Sequence, residues 1–600
     1  MDDQNKNLIL ATALSFLVIM TWFVLFPPPE QPVDPNAPAT SETAETSDGV
    51  TTPTADATGA GATDTASEAT EAAAVDAPRL QIDTPSLKGS LSLQGGRIDQ
   101  LSLKNYRQTL APGSDIVQLL QPVGADAPYY ALFGWAPGNG LTAEQVPNAN
   151  TIWQVDSGDT LTPDTPVTLI WDNGNGQIFR RQISVDADFM FDITQSVENT
   201  GDGNLSLAPY GILARHGEPV DLKNFFILHE GGIRMVDGEL TETDYDDFDP
   251  ANALEEIPVT QNGWTGFTDH YWMTTLIPAD DVGAKFSTFR DTRRNIFQTN
   301  AKLSTQSLAP GQSVSVNTRL FAGAKEWETI RNYQNDAGVE GFLDSIDWGW
   351  FFFLTKPIFW LLHNLNALIG NMGWSIIALT LIIKAVLLPL AFKSYVSMAK
   401  MKELQPQMEK IKESAGDDRQ ALQKEMMALY KKEKVNPASG CLPILLQIPI
   451  FFSLYKVIFV TLELRHAPWI GWIKDLSAPD PSTIYNLWGI FPWDGPEPGS
   501  ILALIFIGIL PLILGISMWL QQKLNPAPTD PTQQMIFAWM PWVFMFMLGS
   551  FASGLVVYWI ANNMITFSQQ YLIMRSQGYK PDVFGNIRSG FKRKANPDDK

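Results

Sequence analysis

A lysine lies in the middle of an apolar stretch of the chain. Lys384 falls ten residues into the run 374–392, about 15 Å along a helix that begins at residue 374. A cation at that depth in a bilayer costs about 2.5–3.5 kcal/mol, so it needs a partner or water. The apolar segments of this chain contain no Asp or Glu that could pair with it. We expect either a water-filled recess around Lys384 or a side chain that reaches the membrane surface or backbone carbonyls.

Further polar side chains interrupt the same apolar part of the sequence. Thr380 lies one helical turn before Lys384 on the same face, and other apolar segments contribute Gln447, Tyr558, Asn562 and Asn563. If these segments pack side by side, their polar groups converge around the cation. The pattern favours a water-filled recess, or groove, inside a helical bundle; the recess is lined by these groups and has Lys384 as its charge.

The apolar segments themselves predict the elements that hold this groove. The first, residues 8–26, is nineteen residues without a charge and runs straight into three prolines with no small-residue cleavage site, so it predicts an uncleaved transmembrane anchor over 1–26. Five more candidates bring the total to six predicted spans: 374–392, 443–462, 501–520, 535–548 and 555–574. The fourth of these five has fourteen residues, about 21 Å, which is short for a bilayer core of about 30 Å.

Basic residues between the segments predict their orientation. The segment 393–435 holds ten Lys and Arg and the tail 575–600 holds seven, whereas 464–499 holds two. Cytoplasmic loops of inner-membrane proteins carry the excess of Lys and Arg. Both termini are therefore predicted in the cytoplasm and the large polar region between the first two spans in the periplasm.

That polar region divides into three predicted parts. Residues 27–78 are rich in Ala, Thr, Pro and acidic residues, contain no Lys or Arg, and predict a disordered linker. Residues 79–346 alternate apolar and polar residues between turn signals, which predicts a large antiparallel β-sandwich followed by a helix. The aromatic-rich stretch 348–369, interrupted by polar residues, predicts a helix lying in the membrane interface.

Composition excludes several function classes. The net charge of −22 lies mostly in the first half and argues against nucleic-acid binding by the β domain. Cys441 is the only cysteine, so neither a disulfide framework nor a Cys/His zinc cluster can form. The sequence contains no phosphate-binding P-loop motif. No cofactor, metal site or enzymatic activity is predicted.

The basic segment 393–435 carries a second candidate surface. Its apolar residues recur at helical spacing on either side of a break at 415–418, which predicts an antiparallel helical hairpin. The hairpin either packs on itself as a cap or receives a ribosome, a targeting factor or a nascent chain. The candidate contact residues are Met398, Met401, Leu404, Met408, Met426 and Tyr430.

Several strings in this sequence resemble those of the YidC/Oxa/Alb insertase family, in the form found in Gram-negative bacteria. Segments 395–406 and 425–437 resemble the family's cytoplasmic hairpin, and 440–451 and 553–559 resemble its third and last conserved spans. Segments 263–269 and 271–273 resemble the family's periplasmic domain. The likeness covers the whole chain except the linker.

The resemblance implies a fold and a function. It implies a core over 371–574 of five spans around a groove that opens to the cytoplasm and the lipid, and a basic cytoplasmic tail over 575–600. The implied function is insertion of nascent membrane proteins into the inner membrane, alone or with the Sec translocon, without a cofactor. Lys384 takes the place of the family's usual groove arginine, and Thr380, Tyr558 and Trp559 match groove-lining positions. Lysine keeps the charge but not the planar donor fork of arginine.

Two other function classes fit parts of the sequence. A polytopic solute transporter would show internal repeats and, often, carboxylates within its spans. A membrane-anchored periplasmic sugar-binding protein would need a convergent polar site in 79–323. The sequence shows neither feature.

Overall fold

The fold is known here from a computed structural model. It describes residues 77–579, apart from 223–227, 251–254, 281, 417, 434, 436–441, 489, 492, 494, 497–499, 501, 503–504 and 526–530. The predicted anchor over 1–26, the predicted linker up to residue 76 and the basic tail from residue 580 onward lie outside the described residues.

Alternating apolar residues build the first half of the described chain into two sheets, with strands numbered in chain order. The first sheet contains β1 (Arg79–Asp83), β2 (Leu87–Ser92), β3 (Arg97–Arg107), β4 (Ile116–Leu120), β5 (Tyr129–Pro137), β7 (Thr160–Leu161), β11 (Leu205–His216), β14 (Ile257–Val259), β17 (Ala284–Asp291), β18 (Ile296–Leu303) and β19 (Gln306–Leu308). The second contains β6 (Gln154–Ser157), β8 (Val167–Asp172), β9 (Gln177–Val185), β10 (Met190–Asn199), β12 (Gly231–Val236), β13 (Glu239–Asp244), β15 (Gly263–Thr268), β16 (Trp272–Pro278) and β20 (Ser313–Ala324).

The central pair of the second sheet shows why these residues form strands. β10 and β20 pair antiparallel, with Phe191 opposite Leu320 and Ile193 opposite Thr318. All four side chains are buried, and alternate residues of β10 are more exposed. Period-two burial of this kind is what the alternating sequence predicts. The predicted β-sandwich is confirmed, with one departure from antiparallel pairing because β1 and β7 pair parallel.

A buried arginine joins the two sheets. Arg181 of β9 donates hydrogen bonds to the carbonyl oxygens of Gly95 (3.1 Å), Gly96 (2.9 Å) and Phe133 (2.5 Å), which belong to the first sheet or its turns. Its guanidinium also lies 4.5 Å from the ring centre of Trp153. Burial lowers the pKa of Arg181 to about 9. Because Nη1 and Nη2 together donate to three carbonyl oxygens, the buried charge is compensated by carbonyl dipoles instead of a carboxylate.

Nine helices of the described residues follow or complete these sheets. They are α1 (Trp327–Asn335), α2 (Phe352–Ile369), α3 (Met372–Val386), α4 (Leu388–Ala415), α5 (Arg419–Lys432), α6 (Leu442–Val460), α7 (Ile509–Gln522), α8 (Pro531–Met547) and α9 (Ser553–Ser576). The expected helix after the last strand is α1, and α2 coincides with most of the aromatic-rich stretch.

The helix that carries Lys384 ends in a sharp bend. None of the described helices alone has both the length and the apolarity to cross a bilayer, whereas α3 and α4 together do, with a 70° bend between them. Pro389 is the second residue of α4 and has no N–H for the carbonyl four residues earlier, so the helical ladder breaks at Leu387. The apolar run 374–392 is therefore two helices and not one.

Two other predicted segments differ from the observed helices. α7 begins at Ile509, because the non-helical residues 506–508 separate it from the helical residues 502 and 505 of the predicted segment. α8 has 17 residues, three more than predicted, or about 26 Å. The mismatch with a bilayer core is correspondingly smaller than the sequence suggested.

Charged and polar contacts join the sheets to the helices. Lys456 of α6 forms an ion pair of 2.5 Å with Asp347, which precedes α2. His270, between β15 and β16, hydrogen-bonds through Nε2 to the carbonyl oxygen of Phe459 at 2.7 Å. Arg465, just after α6, donates to the carbonyl oxygen of Arg107 at 2.6 Å. The end of α6 is thus attached to the β-sandwich at several points.

Candidate functional site

Three helices meet at Lys384 through a chain of side-chain hydrogen bonds. Lys384, two residues from the end of α3, donates from Nζ to Oε1 of Gln447 in α6 at 2.9 Å. Gln447 in turn donates from Nε2 to the hydroxyl oxygen of Tyr558 in α9 at 2.6 Å. The lysine is half-buried, whereas Tyr558 is fully buried. The order Lys384, Gln447, Tyr558 therefore runs from the accessible end of the site to its buried end.

The charge at this site is not neutralised by the groups that hold it. The partner of Lys384 is the neutral amide of Gln447, and no ion pair of Lys384 occurs in the part of the chain that the structure describes. A neutral acceptor satisfies one of the three ammonium donors and leaves the net charge in place. The geometry thus presents a single positive charge on a polar wall inside an otherwise apolar group of helices.

Thr380 has a more local role in the structure than its position suggested. Its hydroxyl donates to the carbonyl oxygen of Ile376 at 2.7 Å, and the residue is buried. Such a bond to the preceding turn is common for threonine in apolar helices. Thr380 lies one turn below Lys384 as expected, but its polar atom is engaged within α3.

The two predicted asparagines of α9 form a separate polar group. Asn563 donates from Nδ2 to Oγ of Ser517 in α7 at 3.0 Å, and Ser517 donates to the carbonyl oxygen of Leu514 at 2.7 Å. Asn562 is buried, and its Oδ1 has no hydrogen-bond partner among the described residues. No hydrogen bond among the described residues joins this group to Lys384, so the predicted residues fall into two clusters.

Trp559 packs against apolar neighbours. Its ring centre lies 4.5 Å from that of Phe451 in α6 and 6.4 Å from that of Phe544 in α8. The ring is half-buried and lies next in sequence to the hydrogen-bonded Tyr558. Adjacent residues of α9 therefore make different contacts. Tyr558 has a polar contact with α6, and Trp559 has aromatic contacts with α6 and α8.

The hairpin of α4 and α5 turns most of its candidate contact residues inward. Leu404 is buried with Leu429 and Val435, and Met401 and Met408 pack against this cluster. Met398 is buried with Tyr395 of α4 and Ile573 of α9. The hydroxyl of Tyr430 lies 4.0 Å from the sulfur of Met408. Met426 is half-exposed, and it is not part of either buried cluster.

One lysine ties the hairpin to the core. Lys402 of α4 donates from Nζ to the carbonyl oxygens of Lys523 (3.2 Å) and Leu524 (3.3 Å), at the end of α7. Free carbonyls at a helix C-terminus attract cations because four of them lack helical partners. The contact fixes α4 beside the ends of α7 and α9.

Metal binding was not predicted, and the described residues contain no group of three or more His, Cys, Asp or Glu that could hold a metal ion. The side chains that Lys384 reaches through hydrogen bonds are the amide of Gln447 and the phenol of Tyr558. Their chemistry suits the binding of a polar chain segment.

Nearly the whole chain is similar to known proteins. The family described as "YidC periplasmic domain" matches residues 79–361, and the family described as "60Kd inner membrane protein" matches residues 364–580. A membrane protein insertase YidC of Roseobacter denitrificans is 67% identical, with 100% of both chains covered. One from Ruegeria pomeroyi is also 67% identical, again with 100% of both chains covered. The chain belongs to the YidC family of membrane protein insertases.

A solved YidC insertase with its first transmembrane domain resolved is similar at a TM-score of 0.34 and 17% identity. The alignment covers 82% of this chain and 92% of that chain. The family assignment rests on the full-length sequence relatives and not on this likeness.

Membership in the YidC family settles the class of function. The protein is a membrane protein insertase of a family of inner-membrane proteins, it acts on nascent membrane proteins, and it is not an enzyme. The recognition made from the hairpin and span motifs is confirmed. A solute transporter and a membrane-anchored sugar-binding protein are set aside as alternatives.

Three further polar residues of the helical core were not among the predicted site residues. Ser517 accepts the hydrogen bond of Asn563, Gln569 donates to the carbonyl oxygen of Lys384 at 3.4 Å, and Gln570 donates to Asn525 at 3.1 Å. A signal for Gln570 was present, because Asn562, Thr566 and Gln570 recur every four residues and so share one helix face. Ser517 and Gln570 are buried, and Gln569 is half-buried.

Proposed function

We propose that the polar flank of a nascent membrane protein passes along the surface formed by Lys384, Gln447 and Tyr558 while its apolar part enters the lipid. The observation that supports this is the hydrogen bond from Lys384 to a neutral amide, which leaves the positive charge available to an acidic flank. By helical rise, Lys384 lies about 18 Å from the start of α3. A polar flank that reaches that depth along the polar wall would have less of the hydrocarbon core left to cross.

The aromatic and methionine side chains of α8 and α9 would form the other half of the path. Exposed apolar residues of α8 include Met535, Ile536, Trp539, Val543 and Met547. Methionine is flexible and polarizable and adapts to varied apolar partners. Packing against neighbouring helices is the alternative role for such a stripe. In our proposal an incoming segment leaves the polar wall and partitions into lipid beside α8.

The arrangement in the membrane follows from the basic residues. We propose six spans with both termini in the cytoplasm, the domain 79–346 in the periplasm, 348–369 in the periplasmic interface, and the core over 371–574. The hairpin 393–435 and the basic tail 575–600 would then face the cytoplasm. There they would meet the ribosome or a targeting factor, and the core would work alone or beside the Sec translocon.

Charge reversal tests the electrostatic part of the proposal. Lys384→Glu should block insertion of a substrate with an acidic translocated flank, whereas Lys384→Arg should preserve it because the charge is kept. A substrate with an uncharged flank is the matched control. Equal insertion of the acidic substrate by both variants would contradict a role for the charge.

Photocrosslinking tests the path itself. A photoreactive residue at position 387, at the end of α3 and three residues beyond Lys384, should crosslink a stalled nascent chain as its transmembrane segment emerges. Position 382, about 160° around α3 from Lys384, is the matched control. The crosslink should disappear once the segment is inserted. Crosslinks of equal strength at 382 and 387 would indicate lipid-side proximity instead of a defined path.

A further inference from the structure

The connection between α6 and α7 exposes a group of large apolar side chains. Among the described residues of 466–493, called the aromatic loop here, nine such side chains are 37% to 73% exposed: Ile470, Trp472, Ile484, Tyr485, Leu487, Trp488, Ile490, Phe491 and Trp493. The indole N–H of Trp472 donates to Asp480 at 2.9 Å, so its polar atom is already satisfied. The indole N–H of Trp493 donates to the carbonyl oxygen of Tyr485 at 3.1 Å. What these rings present outward is apolar surface.

This loop is held in place by its contacts with three helix ends. Asn371, which caps α3, donates to the carbonyl oxygen of Trp469 at 3.2 Å. The backbone N–H groups of Ser553 and Gly554 at the start of α9 donate to loop carbonyls at 2.7 and 2.8 Å. Asp480 accepts from the backbone N–H of Leu510 in the first turn of α7 at 2.8 Å. The aromatic loop is therefore a built surface and sits at one level of the bundle.

That level is the end of the bundle opposite the hairpin. The loop contacts the N-terminal ends of α3, α7 and α9, whereas the hairpin follows the C-terminal end of α3 and meets the ends of α7 and α9 through Lys402 and Met398. The apolar surface continues onto the neighbouring helix, since Trp374 packs against Trp469 with ring centres 5.6 Å apart. Exposed Leu368 and Ile369 of α2 lie just before the cap residue Asn371.

Charge does not explain this surface. Apart from the exposed Lys474, the charged side chains named here are engaged locally: Asp475 accepts from Ser477 at 2.7 Å, Asp480 binds α7 and Trp472, and Arg465 holds carbonyl oxygens of the β-sandwich. A surface rich in Trp and Tyr but without a basic cluster suits the boundary between headgroups and acyl chains, where amphipathic rings concentrate. It does not suit a site selective for anionic lipid, which would need several Lys or Arg.

We propose that the aromatic loop is seated in the lipid interface of the periplasmic leaflet and fixes the depth of α3, α7 and α9 in the bilayer. This rests on the orientation given under the proposed function. Lipid then covers the apolar surface, whether its headgroups are zwitterionic or anionic. Binding depends on partition of the rings into the interface and not on headgroup charge.

Spin labels in the full chain test the proposal. In a Cys441→Ser background, single cysteines at 488 and 490 are labelled and the protein is reconstituted into vesicles of zwitterionic lipid, with and without added anionic lipid. Position 543, exposed on α8, and position 156, exposed in β6, are the deep and aqueous controls. Collision with oxygen relative to a water-soluble nickel complex should place 488 and 490 between the two controls, equally in both lipids.

Each other outcome has a distinct meaning. Nickel accessibility at 488 and 490 equal to that at 156 would overturn the proposal, because the loop would then lie in water. Low collision with both reagents would also overturn it, because protein would then cover the loop. A water-exposed label at 543 would instead contradict the proposed bilayer placement of the core, and normal insertion by Lys384→Glu would contradict the proposed groove, so failures of the two proposals are distinguishable.

Discussion

Lys384 of α3 donates a 2.9 Å hydrogen bond to the side-chain oxygen of Gln447 in α6. The bond sets the position of the cation without cancelling its charge. Gln447 also donates to Tyr558. Substitutions of Gln447 can therefore test the effect of the charge separately from the effect of the side-chain position.

Gln447→Glu should impair insertion while preserving the fold. The new carboxylate would pair with Lys384 and remove the net charge with little change in shape. We expect insertion of a substrate with an acidic translocated flank to fall about tenfold, corresponding to about 1.4 kcal/mol. The measurement is the fraction inserted into proteoliposomes. Gln447→Met, which loses the hydrogen bond but keeps the charge, should have the smaller effect; the reverse order would argue that position and not charge matters.

The ion pair of Lys456 and Asp347 should stabilise the attachment of the β-sandwich to α6. The Asp347 side chain also accepts from the backbone N–H of His229 at 3.1 Å, so it joins three parts of the chain. Removing one partner of a buried pair costs about 3–5 kcal/mol because the other charge is left uncompensated. Lys456→Met should therefore lower the unfolding midpoint more than Lys456→Met combined with Asp347→Asn. Additive effects in this double-mutant cycle would contradict direct coupling.

Arg181 should be among the most sensitive positions of the β-sandwich. Arg181→Leu leaves three carbonyl oxygens without their donor, and we expect a loss of about 3 kcal/mol or more in unfolding free energy. Arg180→Leu is the matched control, since Arg180 forms a partly exposed ion pair with Glu198 and should change stability by about 1 kcal/mol or less. Thermal unfolding followed by circular dichroism compares the two, and similar losses would refute the inter-sheet role.

Lys325 should make stability depend on pH. The residue is buried at the end of the β-sandwich, where it donates to Thr268 at 2.9 Å, and burial lowers its pKa to about 8 from an ordinary value of 10.5. Below pH 8 both folded and unfolded forms are protonated, and the folded form carries the full cost of burying the charge. As pH rises through 8 the folded form loses its proton first, so stability rises until about pH 10.5.

Comparison with Lys325→Met isolates this effect. The variant should be more stable than the unaltered protein near pH 7, by about 3 kcal/mol at most, which is the value of the pKa difference. The gap between the two unfolding midpoints should narrow between pH 8 and pH 10. A gap that stays constant over this range would show that Lys325 is not buried as a cation.

The sequence predicted the β-sandwich and the helical core because both rest on periodic burial. Phe191 and Ile193 alternate with polar residues, so their strand and its inward face could be read directly. The assignment of strands to two sheets could not, because it depends on contacts such as that of Arg181 with Phe133, 48 residues away in the chain. Local patterns carry no information about such distant partners.

The candidate site was predicted only in part, because local patterns identify polar residues in apolar runs but not their partners. Lys384 and Gln447 were singled out as polar residues in apolar runs, and the structure joins them directly. The bend at Leu387 was missed although Pro389 signals it, because apolarity was counted across the proline. Ser517 was missed because a single serine in an apolar helix is common and gives no sign of its partner on α9.

The last helix has a consequence for how the protein itself is made. α9 carries Asn562, Asn563, Gln569 and Gln570. Asn563 bonds to α7, Gln569 to α3, and Gln570 to Asn525, three residues after the end of α7. Alone in lipid, these amides would be unsatisfied, and a segment so rich in them enters hydrocarbon poorly. Its amides are satisfied only when α9 packs against helices that are synthesised before it. The insertase thus contains a segment that is itself difficult to insert. Copies already in the membrane are well suited to assist the assembly of new ones.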